Sequence, residues 1–172
     1  MDTAVRRTNL RSLVGLAAVA LALVAAVRLV PSDEPTTPAP AWQPPDGFVA
    51  AQTVDLGDGR TLRLWTATTG WSVESLVEGR HAGAVSAWGG GDQYTVAAVL
   101  DGFLGDVPVT GAHTVSVRVP DGAAVPARVH DGRFLVPGYV AGPTAPALLV
   151  TPLDAAGRAL DAETSVPIAG RT

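Results

Sequence analysis

The chain of 172 residues contains no cysteine and no lysine, and its twelve basic residues are all arginine. Without cysteine there is no disulfide, no thiolate metal site and no thiol nucleophile, so any folded part is held by packing and hydrogen bonds alone. Without lysine there is no Ser-Lys dyad, no S-x-x-K signature and no phosphate-binding loop of the G-x-x-x-x-G-K-[ST] type. Aromatic residues make up 5% of the chain and charged residues 16%. From Asp46 onward thirteen acidic residues face eight arginines. An acidic domain with no basic stripe excludes nucleic acid as a partner. Long helical periodicity is also missing beyond residue 46.

What is present first is one long apolar run. Leu13 to Val30 reads LVGLAAVALALVAAVRLV, and Ser12 to Val27 is uncharged. As a helix that uncharged stretch covers about 24 Å, short of a hydrocarbon core of about 30 Å unless Arg28 snorkels and Leu29 and Val30 contribute. Arg6, Arg7 and Arg11 precede it; Asp33 and Glu34 follow it. The positive-inside bias predicts a cytoplasmic tail over 1–11, a single transmembrane anchor over 12–30 and an extracytoplasmic remainder. A cleaved signal peptide is the competing reading and would make the protein secreted. Arg28 stands where a small-residue cleavage site belongs, and the nearest Ala-x-Ala is Ala39-Pro40-Ala41. Residues 31–46 follow, with six prolines between Pro31 and Pro45. That composition predicts a stiff, extended linker, with Trp42 either on the domain or near the headgroups.

Residues 47–172 read as strands. Gly or Pro recurs at short intervals, and Asp-Gly pairs fall at 46–47, 58–59, 101–102, 121–122 and 131–132. Asp-Gly supplies the positive φ angles of tight hairpins. The predicted elements are a hairpin of Phe48–Leu56 with Arg60–Thr68, strands at Trp71–Val77, Ala84–Trp88 and Gln93–Leu100, and a three-stranded meander over His113–Val136. Ala147–Leu153 with Arg158–Leu160 forms a further predicted hairpin, and Ser165–Ile168 a closing edge strand. The prolines at 120, 126, 137, 146 and 152 suit strand ends and edges. The spacing predicts an all-β fold, an antiparallel β-sandwich of immunoglobulin- or fibronectin-like type.

No contiguous catalytic motif accompanies this pattern, and none calls for a cofactor. Ser86 lacks the second glycine of a nucleophile elbow. His81, His113 and His130 have no ligand spacing, and Asp55, Asp58, Asp92 and Asp106 form no calcium loop, so no metal site is expected. Asp55 with Asp58, Glu74 with Glu78, and Asp101 with Asp106 are formal acid pairs for a hydrolase. Trp65, Trp71 and Trp88 are the candidate ligand-binding residues, since exposed indoles stack on sugar rings while buried ones fill sandwich cores. The expectation is a non-enzymatic, membrane-anchored binding or scaffolding module at the cell envelope, whose partner is an envelope protein or a polysaccharide. A carbohydrate- or cell-wall-binding module is the alternative, and a hydrolase with a non-local acid pair comes third.

Overall fold

A computed structural model describes residues 42–142 and 144–170. The predicted tail, the apolar segment and the linker as far as residue 41 lie outside the described residues. Among the described residues no helix is long and apolar enough to cross a membrane. The domain is all-β, with eleven strands and one short 3-10 turn among the described residues.

Four strands form a consecutive antiparallel sheet: β1 (Val49–Gly57), β2 (Arg60–Ala67), β3 (Gly70–Val77) and β4 (Arg80–Trp88). Two-residue turns close β1–β2 at Asp58-Gly59 and β3–β4 at Glu78-Gly79, with positive φ at all four residues. The turn matches the right-handed twist of the strands it joins, which is why Asp-Gly marks hairpins and why Glu-Gly works in the same place. The strand expected from Ala84 therefore starts earlier, at Arg80.

The remaining strands are β5 (Thr95–Val99), β6 (Gly102–Asp106), β7 (Thr114–Arg118), β8 (Val125–Arg128), β9 (Arg133–Pro137), β10 (Ala147–Leu153) and β11 (Thr164–Ala169). They form one sheet in the order β8-β7-β10-β11-β5-β6-β9, in which β11 and β5 are parallel. All seven contribute to a single apolar core, including Val96, Phe103, Val115, Ala127, Phe134, Leu148 and Val166. One face of the sheet therefore closes on itself, and its end strands β8 and β9 return to each other at the Asp131-Gly132 turn.

The four-stranded sheet packs on the outside of β5, β6 and β9. Leu62, Leu64 and Val73 meet Val99, Leu104 and Leu135 there. Strand β9 is thus apolar on both sides: Phe134, Leu135 and Val136 are completely buried, with 134 and 136 in one core and 135 in the other. A strand covered on both faces has to be a continuous apolar run, and each such side chain contributes about 1.5–3 kcal/mol.

Several expectations needed correction. The strand expected over Gln93–Leu100 is β5, trimmed to Thr95–Val99; the chain then turns at Leu100-Asp101 and returns as β6, an additional strand. The positive φ falls on Leu100 (50°), one residue before the Asp-Gly pair, because Gly102 is needed inside the sheet. A Cβ on Gly102 would lie 2.6 Å from Leu62 Cδ1 and 2.8 Å from Val136 O. The meander over 113–136 holds for β7 and β8 only. Chain direction reverses at Asp131-Gly132, but β9 pairs with β6 at the far end of the sheet, where its two apolar faces are covered. The hairpin expected between Ala147–Leu153 and Arg158–Leu160 is present only as a single antiparallel bridge, Leu153 with Ala159, flanked by Asp154 N–H to Arg158 O (2.9 Å) and Leu160 N–H to Pro152 O (2.9 Å); the ladders of β10 are with β7 and β11. Residues 165–168 belong to β11, an interior strand between β10 and β5, not an edge.

The two sheets are joined by polar contacts from β9. Arg133, 3% exposed, sends Nη1 to Ala67 O (3.2 Å) and Gly70 O (3.1 Å), and Nη2 to Gly89 O (2.8 Å). Its Nε lies 3.4 Å from Asp106 Oδ1, an ion-pair contact without hydrogen-bond geometry. Thr66 Oγ1 donates to Asp131 Oδ2 (2.7 Å). The Gln52 amide donates to Leu135 O (3.0 Å) and its oxygen accepts from Leu135 N–H (3.4 Å), tying edge β1 to edge β9.

Arg133→Met keeps the apolar stem and removes these bonds, leaving three carbonyls and Asp106 without their partner. The expected loss is about 3 kcal/mol or more, read as the shift in urea midpoint. Leu100→Gly removes the cost of a bulky residue in the left-handed region and should raise stability by about 1 kcal/mol in the same assay.

Candidate functional site

The outward face of the four-stranded sheet carries a polar and aromatic cluster. Alternation along the strands puts Leu62, Leu64 and Val73 inward and Arg63, Trp65, Ser72, Glu74 and Ser86 outward. A β-bulge in β4 at Ala82, where Ser75 pairs with Gly83 and Leu76 with His81, brings His81 round to the same cluster. Bulges redirect side chains in this way.

Glu74 is the centre. It is 4% exposed although it sits on an outward face. His81 Nδ1 lies 3.2 Å from its Oε1, Trp65 Nε1 donates to its Oε2 at 3.3 Å, and Arg63 Nη1 lies 3.7 Å from the same oxygen. Arg63 also stands 5.6 Å from the Trp65 ring centroid, within cation–π range. Beside Glu74, Ser72 is completely buried, accepting a hydrogen bond from Ser86 Oγ (2.9 Å).

The end of the Pro-rich segment lies over this face. Trp42 stacks on His81 with centroids 5.0 Å apart and planes 7° from parallel, and meets Trp65 at 6.1 Å in a tilted arrangement. Further along, the Phe48 ring covers Gly70: a Cβ there would come within 3.3 Å of Phe48 Cζ and 2.5 Å of Ala87 O. Residues 42–48 therefore run as a strap from His81 to Gly70. Of the two positions expected for Trp42, the structure has it on the domain.

The three tryptophans singled out from the sequence do not share one platform. Trp65 is half-buried in the Glu74 cluster beneath Trp42. Trp71 pairs with Thr66 and Ala87, points to the other face and packs against the inter-sheet core. Trp88 ends β4 and is 70% exposed. The formal acid pairs are engaged separately. Asp101 and Asp106 stand at opposite ends of β6; Asp101 pairs with Arg60, and Asp106 accepts from Thr95 Oγ1 (2.6 Å) and meets Arg133. Glu74 is in the cluster while Glu78 sits in a turn, and Asp55 accepts from Gly57 N–H next to the turn at Asp58. Among the described residues no three His, Asp or Glu side chains are grouped to hold a metal ion.

Sequence spacing did not reveal the Glu74–His81 contact, because seven residues separate the pair and the bulge shifts the register. The usable signal was the Glu78-Gly79 turn. It makes 70–88 a hairpin and folds residue 81 back towards 74–76.

If the cluster is a clasp for the strap, its loss should weaken the fold. Glu74→Ala is expected to cost about 2 kcal/mol, since Trp65 and His81 lose their acceptor, with Glu74→Gln costing less. Trp42→Ala should cost about 1 kcal/mol and red-shift the tryptophan emission as Trp65 becomes wetter. Urea titration of the three variants by fluorescence checks this; a carboxylate held for chemistry alone would leave stability unchanged or higher on removal. No protein-family model, no curated protein and no solved structure matches this chain.

Proposed function

We propose that this chain is a non-enzymatic binding or scaffolding module, held at the cell envelope by residues 12–30 with its β domain outside the cytoplasm. The observation that carries this reading is the way the candidate site spends its groups. Glu74, His81, Trp65 and Arg63 are engaged with one another and with Trp42, the end of the Pro-rich linker. A catalytic carboxylate needs access to substrate, whereas this one anchors a strap. Such a clasp pins residues 42–48 to the four-stranded sheet, which suits a module that displays a surface. In this proposal the two packed sheets act as immunoglobulin- or fibronectin-like sandwiches do, as a rigid block presenting loops and edges to an envelope protein.

A polysaccharide partner is the second reading, favoured by the exposure of Trp88. It needs only one stacked ring and its neighbours, not all three tryptophans.

Two measurements separate these readings. Mass spectrometry of the mature chain and protease protection of intact cells should give an uncleaved, membrane-bound protein whose β domain is digested from outside. A soluble product starting near Trp42 would refute the anchor. Pull-down on insoluble cell-wall material should give equal retention of wild type and Trp88→Ala; retention lost only in Trp88→Ala would transfer the function to sugar binding.

A further inference from the structure

The end of the β7–β8 ladder carries a concavity of about 440 Å³, lined by His113, Thr114, Arg128, Val129 and His130. These residues meet because the hairpin at Asp121-Gly122 sets Thr114 opposite Arg128 and bonds Val129 N–H to His113 O (3.1 Å). Two histidines seventeen positions apart thus reach one wall, although neither has ligand spacing in the sequence.

The wall carries one guanidinium and two imidazoles and no carboxylate, within a domain that is acidic as a whole. Arg128 is exposed and has no ion pair among the described residues, whereas Arg60, Arg63, Arg118, Arg133 and Arg158 each meet an acid. Asp131, next to His130 in sequence, accepts from Thr66 instead. The Nε2 of His130 is buried and has no hydrogen-bond partner among the described residues. A buried polar atom of this kind calls for a partner that the protein does not itself supply.

The donor set decides what that partner is. A guanidinium fork, a hydroxyl and two imidazoles, each able to donate from a protonated nitrogen, complement an oxyanion. Two imidazoles beside an arginine are a poor cation site, since the guanidinium repels a metal and no carboxylate balances it. Several donors arriving from two strands suit a tetrahedral phosphate better than a planar carboxylate, and the concavity is large enough for a ligand that extends beyond the phosphate itself. We propose that His113, Thr114, Arg128 and His130 form a binding site for a phosphate group, free or as a monoester. This inference is independent of how the chain is anchored.

The test uses the full chain in detergent, titrated with inorganic phosphate, glycerol phosphate and acetate, and followed by calorimetry and by the NMR signals of the histidine rings. Saturable phosphate binding is expected to shift His113 and His130 and to leave His81 unmoved. Arg128→Gln should weaken it by about tenfold. Arg80→Gln, which removes the other arginine without an ion pair among the described residues, should leave it unchanged. Tighter binding of glycerol phosphate than of inorganic phosphate would identify a monoester as the ligand, and the reverse order the free ion; both support the site. Thermal unfolding monitors the fold, and Thr114→Val and His113→Gln replace Arg128→Gln if that variant does not fold. Four results would overturn the proposal: no saturable phosphate binding, equal loss in the Arg80 and Arg128 variants, acetate binding as tightly as phosphate, or Zn²⁺ alone binding through the two histidines.

Discussion

One buried guanidinium joins the two sheets of this domain. Arg133 leaves β9 and takes the carbonyls of Ala67, Gly70 and Gly89, two at the β2–β3 turn and one just past β4. These carbonyls lie at strand ends, with Ala67 opposite Gly70 and Gly70 opposite Trp88, and the guanidinium gives each of them a donor from the other sheet. The charge is balanced at 3.4 Å by Asp106 of β6. Burying an arginine is costly unless its donors are used, so the same residue that makes the junction possible also restricts how the sheets meet. With that junction in place, Gln52 reaches the edge of β9 and Thr66 reaches Asp131.

The junction explains why β5, β6 and β9 serve two cores at once. Their inward side chains close the curled sheet, and their outward ones, Val99, Leu104 and Leu135, receive Leu62, Leu64 and Val73. Space there is tight enough to require glycine at 102, which in turn displaces the turn onto Leu100. On the far side of the four-stranded sheet, the Glu74 cluster and the strap of residues 42–48 cover what would otherwise be an exposed polar–aromatic surface. The architecture is therefore layered: strap, four-stranded sheet, shared strands, and the rest of the curled sheet.

Much of the strand content was legible because Asp-Gly turns and alternating valines are local signals. Thr114–Arg118 against Val125–Arg128 follows from Asp121-Gly122 and the period of two. The placement of β9 does not, because a turn signal reports a reversal of direction and not a ladder. Phe134-Leu135-Val136 without alternation was the available hint that this strand is covered on both faces. The candidate clusters were less legible still. Glu74 with His81 depends on a bulge, and His113 with His130 on the exact rung reached by a hairpin; neither leaves a contiguous motif. Of the three tryptophans, the opposite orientations of Trp65 and Trp71 follow from the register that places Ser72 and Thr66 across from them.

The sequence by itself determined the class of the domain, the hairpin turns, the absence of thiol and lysine chemistry, and the apolar segment whose composition suits a bilayer. These rest on local backbone preferences, composition and hydropathy, which do not need a fold. Only the tertiary structure decided which strands become neighbours, which tryptophan is covered, that Arg133 is a buried pin, and that an arginine and two histidines line one concavity. Those depend on contacts between residues far apart in the chain, where burial and register, rather than local pattern, set the energy.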